Sequence, residues 1–307
     1  MTDRTVAALD IGGTKTAAAL VDGSGAVVAR ATAPTPGRAG PAAILQTAAD
    51  LVKSLAARSA ATTPAALGVG SAGVVDSASG RVTGSTDVLR DWMGTDLRGE
   101  LSRRTGLPTA VVNDVHAHAL GEARFGVGAG QPSLLFLAVG TGVGASFVFR
   151  GEVLTGAHGV AGHAGHLPSV YAADRACTCG GRGHLEAVAA GPALAAEYGR
   201  RAGATDVVLH QVAALAERGD EVALGVAELG GRAVGAALGG MANLLDPHSV
   251  VVGGGVTGLG RAWWQALRAA FTAEVLPVLR GTTVRPTSLG GDGALLGAAS
   301  IAPVEAP

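Results

Sequence analysis

The feature that most constrains the fold is a pattern that occurs twice in the chain. Residues 5–21 form a β-rich run, a turn rich in glycine and threonine at residues 11–16, and a second β-rich run. Residues 134–149 repeat this arrangement around a turn at residues 140–142. Each segment is typical of a β-hairpin, and each turn offers backbone N–H groups and a hydroxyl that can hold phosphate oxygens. The sequence therefore predicts two related halves.

Helical and β-rich segments alternate through the rest of the chain, which favours an α/β fold. A last glycine-led helix at residues 290–301 is expected to fold back on the first domain. The predicted helices cover residues 42–59, 96–105, a segment ending at 125, 183–202, 205–218 and 221–245, and the predicted strands cover residues 66–69, 109–112 and 249–252.

The length of 307 residues indicates two domains, since it exceeds what one small core needs. We predict an N-terminal α/β domain over residues 1–115 and a larger C-terminal α/β domain with a zinc loop over residues 116–289. Residues 290–307 would form the helix that returns to the N-terminal domain.

Composition and charge argue against several classes of protein. The formal net charge is −1, and no basic cluster points to a nucleic-acid or membrane surface. No secretory signal precedes the first hairpin, and the uncharged window at residues 133–149 is too short to span a membrane. We therefore expect a cytoplasmic protein whose partners are small molecules.

All the cysteine in the chain falls in one short stretch. Cys177 and Cys179 are separated by one residue and flanked by His163 and His166 on one side and His184 on the other. Two cysteines this close cannot form a relaxed disulfide, but both thiolates can bind one tetrahedral zinc ion. The stretch therefore predicts a metal site that stiffens its loop.

Glycine-rich motifs leave the nucleotide question open. The two lysines, Lys15 and Lys53, do not follow a glycine, so a Walker A motif is excluded. Gly68-x-Gly70-x-x-Gly73 has dinucleotide spacing but no helix pattern after it. The similar motif at residues 253–258 follows a strand and precedes a helix, so it favours a nucleotide contact over simple packing. A nicotinamide-dependent oxidoreductase is an alternative that depends on this motif alone.

Several segments together resemble the ROK family (repressor, open reading frame, kinase), in order from Val6 to Ala299. The resemblance implies an actin-like ATPase (ribonuclease H-like) α/β fold with two domains and a ligand cleft between them. The segments that carry it are LDIGGTKT at 9–16, VVNDVHAHALGEARFG at 111–126, VGTGVG at 139–144, GAHGVAGHAGH at 156–166, CTCGGRGHLE at 177–186, VVVGGGV at 250–256 and GDGALLGAA at 291–299.

The repressor branch of this family carries an N-terminal helix-turn-helix. The first predicted hairpin begins at residue 5 of this sequence, so we expect no such motif before it. The resemblance therefore implies a sugar kinase that transfers phosphate from ATP, with Mg²⁺, to the 6-hydroxyl of a hexose or N-acetylhexosamine. It also implies a homodimer.

The family match assigns roles to residues at the predicted strand ends. Asp114 would be the general base for the sugar 6-hydroxyl, although an aspartate there could simply cap a helix. Asn113 would bind a sugar hydroxyl, and Asp10 would face Mg²⁺ through water. Phosphate or nucleotide contacts are expected from Gly12, Gly13, Thr14, Thr141, Gly142, Gly254 and Gly255, and with less support from Lys15.

The resemblance also implies zinc ligation by His166, Cys177, Cys179 and His184, although family members usually have a third cysteine where His184 stands. A metal-free loop with two buried thiols is the alternative. His166, through its other ring nitrogen, and Glu186 would contact the sugar.

His163 is a second departure, because glucokinase-like members usually have glutamate there. The pattern around it resembles that of bacterial N-acetylmannosamine kinases, so N-acetylmannosamine is the leading expected substrate, and glucose is the alternative. The two departures also leave open a sugar-sensing protein of the same fold without catalysis.

Overall fold

The computed structural model describes residues 5–58, 63–86 and 88–304. Its chain divides into two compact units. The first runs up to Gly130 and also contains Val148–Ala161 and the segment from Ser288 onward, and the second contains Gln131–Phe147 and Gly162–Thr287. The predicted domains differ from these two units, because the prediction places residues 116–130 and 148–161 in the larger C-terminal domain. The predicted domain boundaries stay a prediction.

The elements of the described chain are, in order, β1 (Val6–Ile11), β2 (Lys15–Val21), β3 (Val27–Pro34), α1 (Pro41–Arg58), β4 (Leu67–Ser71), β5 (Val74–Asp76), β6 (Arg81–Gly84), α2 (Leu97–Thr105), β7 (Thr109–Asn113), α3 (Asp114–Phe125), β8 (Ser133–Val139), β9 (Val143–Phe149), β10 (Glu152–Val153), α4 (Glu186–Ala189), α5 (Gly191–Ala202), α6 (Leu209–Glu217), α7 (Glu221–Leu245), β11 (Ser249–Gly253), α8 (Arg261–Glu274), β12 (Val284–Pro286) and α9 (Gly293–Ser300).

The first sheet has the order β3-β2-β1-β4-β7. β1 and β2 form the predicted antiparallel hairpin, whereas β4 and β7 run parallel to β1. The apolar runs of β1 and β2 are almost wholly buried because both lie inside the sheet. The carboxyl ends of β1, β4 and β7 therefore meet at one edge of this sheet.

Two glycines of β4 let helices pack closely against the sheet. A Cβ atom at Gly68 would lie 1.7 Å from the carbonyl oxygen of Ala298 in α9, and one at Gly70 would lie 3.0 Å from Cβ of Ala117 in α3. Gly73 has φ +100° and no room for a side chain beside the carbonyl of Gly84. The glycine spacing at residues 68–73 is thus explained by packing, without a dinucleotide.

The second sheet has the order β10-β9-β8-β11-β12, with β8, β11 and β12 parallel. Its core includes Trp263 and Phe271 of α8, which packs along α7. Gly231 and Gly235 of α7 face α8 so closely that an added Cβ would meet the carbonyls of Trp263 and Leu267. α7 is the one described helix that is long and apolar enough to cross a membrane, but 56% of that window is buried in the protein. Because buried core helices of other proteins also have this length and apolar composition, α7 is weak support for a membrane span.

Two helix predictions were wrong in detail, and one strand was missed. The helix expected over residues 183–202 is divided into α4 and α5, because Pro192 lacks an N–H and starts a new helix after the extended Ala190. The helix expected from residue 205 begins only at Leu209. β3 was not predicted, although its residues alternate between half-buried and exposed positions.

The glycine motif at residues 253–258 does not open an α-helix directly. It leads into a short 3-10 helix, Gly255–Leu259, and α8 begins only at Arg261. Gly254 has φ +95°, and a Cβ there would lie 2.3 Å from the carbonyl oxygen of Val139. Close packing on β8 therefore accounts for Gly254.

Candidate active site

Two carboxylates lie at the carboxyl edge of the first sheet. Asp10 is next to the last residue of β1, and Asp114 directly follows β7. The parallel registers place Ile11 beside Ser71 and Ser71 beside Asn113, so these strand ends are level with one another. The carboxyl edge of parallel strands is where open α/β sheets bind ligands.

The electrostatics of this edge favour a bound cation. Burial, and after it the nearby Asp114 carboxylate, raise the pKa of Asp10 to about 7, and Lys15 opposes both effects. A cation beside Asp10 would compensate the charge that burial and Asp114 disfavour. Carboxylate oxygens are the ligands that Mg²⁺ prefers in proteins, so these residues fit the implied ion.

Asn113 both caps α3 and orients Asp114. Its Oδ1 accepts hydrogen bonds from the N–H groups of Val115 at 2.9 Å and His116 at 3.2 Å. Its Nδ2 donates to the carbonyl of Gly73 and to Oδ1 of Asp114, both at 2.9 Å. The N-cap residue of α3 is therefore Asn113, and Oδ1 of Asp114 also accepts from the N–H of Val115 at 2.9 Å.

The turn between β1 and β2 carries the predicted phosphate contacts of the first unit. The N–H of Gly12 donates to the carbonyl of Lys15 at 3.0 Å, and the hydroxyl of Thr35 donates to the carbonyl of Gly12 at 2.8 Å. Gly13 lies against Val88 and has no room for a side chain. Thr14 and Lys15 are exposed at this turn, which these hydrogen bonds hold in place.

A cavity of about 670 Å³ lies in the second unit. Its volume is in the range of small-molecule sites. Its lining is largely apolar and includes the β8–β9 turn at Gly140 and Thr141, the start of α5 at Gly191 and Pro192, and Gly255. The N–H of Gly191 donates to the carbonyl of Gly140 at 2.8 Å, which fixes α5 against the turn.

Two of the predicted nucleotide residues in this unit, Thr141 and Gly255, line the cavity. Gly142 and Gly254 are their chain neighbours, and their contact with a nucleotide stays a prediction. Sequence reasoning missed the contribution of α5 and of residues 206–209. The Gly191-Pro192 pair was the local signal that could have placed a helix start there.

Glu186 is half-buried at the start of α4 and makes specific hydrogen bonds. Its Oε2 accepts from the N–H of Val143 at 3.0 Å, and its Oε1 accepts from the Thr178 hydroxyl at 2.7 Å. A Cβ on Gly142 would lie 2.7 Å from Oε2, and one on Gly165 would lie 3.1 Å from it. The two glycines therefore make room for this carboxylate.

The four predicted zinc ligands come together in the second unit. One ligand atom from each of His166, Cys177, Cys179 and His184 lies within 4.8 Å of all the others. Sγ of Cys177 is 3.7 Å from Nδ1 of His166, and Sγ of Cys179 is 3.2 Å from Nδ1 of His184. Around a tetrahedral zinc ion this sulfur–nitrogen separation is about 3.6 Å, so the cluster fits the metal.

Local structure explains how this cluster forms. The N–H of Cys177 donates to the carbonyl of Gly181 at 2.8 Å, and residues Ala176 and Arg182 form a β-bridge. His166 ends a short 3-10 helix, Ala164–His166, which is preceded by the exposed His163. The rings of His163 and His166 stack with centroids 6.3 Å apart.

Comparison with known proteins identifies the family. A profile described as "ROK family" matches residues 6–305. The chain belongs to the ROK family. It is 31% identical to a glucokinase of Halalkalibacterium halodurans over 97% of this chain and 94% of that one, and 32% identical to an N-acetylmannosamine kinase of Citrobacter koseri over 96% and 97%.

Among solved structures, a ROK family glucokinase from Streptomyces griseus, in complex with glucose and AMPPNP, is similar to this chain with a TM-score of 0.84. It is 30% identical, and the match covers 97% of this chain and 99% of the glucokinase. The predicted ROK resemblance and the actin-like ATPase class of α/β fold are confirmed.

Proposed function

We propose that this ROK protein is an ATP-dependent sugar kinase that phosphorylates the 6-hydroxyl of a hexose or N-acetylhexosamine. The observation that carries the proposal is the Asp114 carboxylate, which lies at the carboxyl edge of the first sheet and is oriented by Asn113. Relatives named glucokinase and N-acetylmannosamine kinase support it, since both share nearly the whole length of this chain.

Asp114 would act as the general base. Its carboxylate accepts the proton of the sugar hydroxyl as that oxygen attacks the γ-phosphorus of ATP, and ADP leaves. A positioned base contributes about 10²- to 10⁴-fold in rate. Asn113 holds the carboxylate through its Nδ2, and a sugar contact from the same amide stays a prediction.

Asp10 would hold Mg²⁺ through water. When bound, this ion would neutralise charge on the phosphates of ATP. The first turn, with Gly12, Gly13 and Thr14, would donate hydrogen bonds to phosphate oxygens. Lys15 is exposed and would contribute charge only.

The cavity of the second unit would hold the nucleotide. Its apolar lining suits an adenine ring, while Thr141 at the turn would face the phosphates. Gly142, Gly254 and Gly255 would supply backbone close to the nucleotide.

The sugar would be recognised by Glu186, His163 and His166. His166 directs Nδ1 towards Cys177, so a zinc ion held by the four ligands would fix the tautomer with Nε2–H available to a sugar oxygen. Glu186 would accept hydrogen bonds from sugar hydroxyls. Zinc here would be structural, with His184 in the position of the usual third cysteine.

N-acetylmannosamine is the leading substrate because His163 offers an imidazole N–H where glucokinase-like members have a carboxylate. An imidazole N–H could donate to the carbonyl of an acetamido group, whereas a carboxylate could not. Glucose is the alternative, since relatives named glucokinase and relatives named N-acetylmannosamine kinase are about equally similar to this chain. We also propose that the protein is a cytoplasmic homodimer.

A substrate panel tests this proposal. ADP release, coupled to NADH oxidation, would be measured with glucose, mannose, N-acetylglucosamine and N-acetylmannosamine. We expect turnover with N-acetylmannosamine to give the highest kcat/KM. Sugar binding without turnover in the presence of MgATP would instead support a non-catalytic sensor.

A further inference from the structure

Glu197 is a buried carboxylate in the middle of α5, the helix whose start lines the 670 Å³ cavity. Its side chain is only 3% exposed. It accepts hydrogen bonds from Nε and Nη2 of Arg200, at 3.0 and 2.8 Å, and from Nε of Arg201 at 2.5 Å. Spacings of three and four residues bring these arginines onto the same side of the helix.

The third partner of Glu197 comes from the zinc loop, residues 166–184. Nη2 of Arg175 donates to Oε2 of Glu197 at 3.2 Å. The backbone of Arg175 is fixed within the loop, because its N–H donates to the carbonyl of Ala172 at 3.0 Å and its carbonyl accepts from Gly183 at 2.9 Å. Gly183 directly precedes the zinc ligand candidate His184.

The same cluster reaches the nucleotide cavity. Arg200 lines that cavity and also a neighbouring one of about 640 Å³, which Arg175 and Glu197 line as well. Both cavities reach Thr141 at the β8–β9 turn. Glu197 therefore connects the zinc loop, through Arg175, with an arginine at the nucleotide cavity.

We infer that Glu197 is a positioning residue that couples the zinc loop to nucleotide binding. The inference rests on the proposed function, because it takes the 670 Å³ cavity as the nucleotide site. Removing Arg175, or loosening the loop by removing zinc, breaks the contact through which the loop holds the Glu197 carboxylate in place. Arg200, which binds both oxygens of that carboxylate, then loses its fixed position at the nucleotide cavity.

The test compares Arg175→Met with Arg175→Lys and with Arg201→Met in the full-length protein. Arg201 also binds Glu197 but belongs to α5 itself, so its loss removes the same charge without cutting the link to the loop. MgADP affinity would be measured by calorimetry, and KM for ATP and kcat by the coupled assay. The affinity of the wild type and of Arg175→Met for MgADP would also be measured after zinc has been removed with a chelator.

We expect Arg175→Met to weaken MgADP about five- to tenfold, the size of a typical coupling between sites, and to raise KM for ATP more than it lowers kcat. Arg175→Lys should restore most of the affinity, and Arg201→Met should keep it within about twofold of the wild type. Chelation should weaken MgADP in the wild type by a similar factor but add little in Arg175→Met.

Unchanged MgADP affinity in Arg175→Met overturns the inference, and so does an equal loss in Arg201→Met. An equal effect of chelation on the wild type and on Arg175→Met also overturns it. If the protein contains no zinc, the metal assignment fails, and the MgADP affinities of the Arg175 and Arg201 variants alone decide whether the loop is coupled to the nucleotide site. Arg175-dependent MgADP binding without phosphoryl transfer would instead refute the proposed function and leave the coupling standing.

Discussion

The two five-stranded sheets share one strand order but carry different chemistry at their edges. In each sheet, a third strand and the two strands of a hairpin lie on one side. The two remaining strands lie on the other side and run parallel to the first strand of the hairpin. The first sheet ends in the carboxylates Asp10 and Asp114, whereas the second ends in the backbone-rich turns at residues 140–142 and 253–255. The first sheet thus carries carboxylates at this edge, whereas the second carries backbone groups beside a largely apolar cavity.

The largest effect that would sharpen this comparison is expected from Asp114→Asn. The amide cannot accept the proton of the sugar hydroxyl, so kcat should fall by about 10²- to 10⁴-fold. Sugar affinity, measured by calorimetry, should change little because the side chain keeps its shape. Turnover close to that of the wild type would show that Asp114 is not the base.

The next largest effect concerns the packing of the first sheet. Gly68→Ala would place a Cβ 1.7 Å from the carbonyl oxygen of Ala298, and we expect a loss of about 3 kcal/mol in the free energy of unfolding. The equivalent position of the second sheet lies in β11, where valines fill the strand interior. Urea unfolding would measure the change.

The matched control for that variant is Gly240→Ala in α7, where an added Cβ meets nothing within 4 Å. Alanine is the better helix former, so this variant should gain about 0.5 to 1 kcal/mol. Equal stability of the two variants would refute the packing explanation of the β4 glycines.

Metal removal tests the loop that is specific to the second unit. Cys177→Ser should lower the zinc content, which we expect to be about one ion per chain, and should weaken sugar binding about 10- to 100-fold. Elemental analysis and calorimetry would measure both. Arg182→Met changes an exposed loop residue that pairs with Asp174 and should leave both unchanged. Full zinc content in Cys177→Ser would contradict the ligand assignment.

A smaller effect is expected from the acid titration of Glu197. Its arginine partners, Arg200 first, lower its pKa from 4.5 to about 2. The ionised folded state is therefore favoured above pH 4.5, and this stability is lost as the pH falls from about 4.5 towards 2. Because the arginines are partly exposed, we expect a contribution of only about 2 kcal/mol.

Urea unfolding at pH 6 and pH 3 would measure this contribution. The loss of stability between the two pH values should be smaller by about that amount in Glu197→Gln than in the wild type. The same pH dependence in both proteins would show that Glu197 is not held as an ion pair in the folded state.

Much of the fold follows from local sequence patterns. The β1–β2 hairpin and α7 were predicted because apolar runs, glycine turns and helical composition are local signals. β3 was missed because its alternation is weak in composition, and pairing with β2 is what stabilises it. The break before α5 was missed because an alanine-rich pattern outweighed Pro192.

The site was only partly visible in the sequence. The cluster at residues 166–184 could be predicted because few residue types bind zinc and they are close in the chain. The capping role of Asn113 depends on where α3 begins, and the pairing of Arg175 with Glu197 depends on how the loop packs on α5. Such contacts are set by tertiary structure and leave no local pattern.

The most direct test of the division between the two sheets is a comparison of Asp114→Asn with Thr141→Ala in steady-state kinetics with saturating sugar. The account predicts that Asp114→Asn lowers kcat about 10²-fold or more with little change in KM for ATP. Thr141→Ala should raise KM for ATP about tenfold, through the loss of one hydrogen bond to phosphate, and change kcat less. The opposite split, with kcat falling in Thr141→Ala and KM for ATP rising in Asp114→Asn, would contradict it.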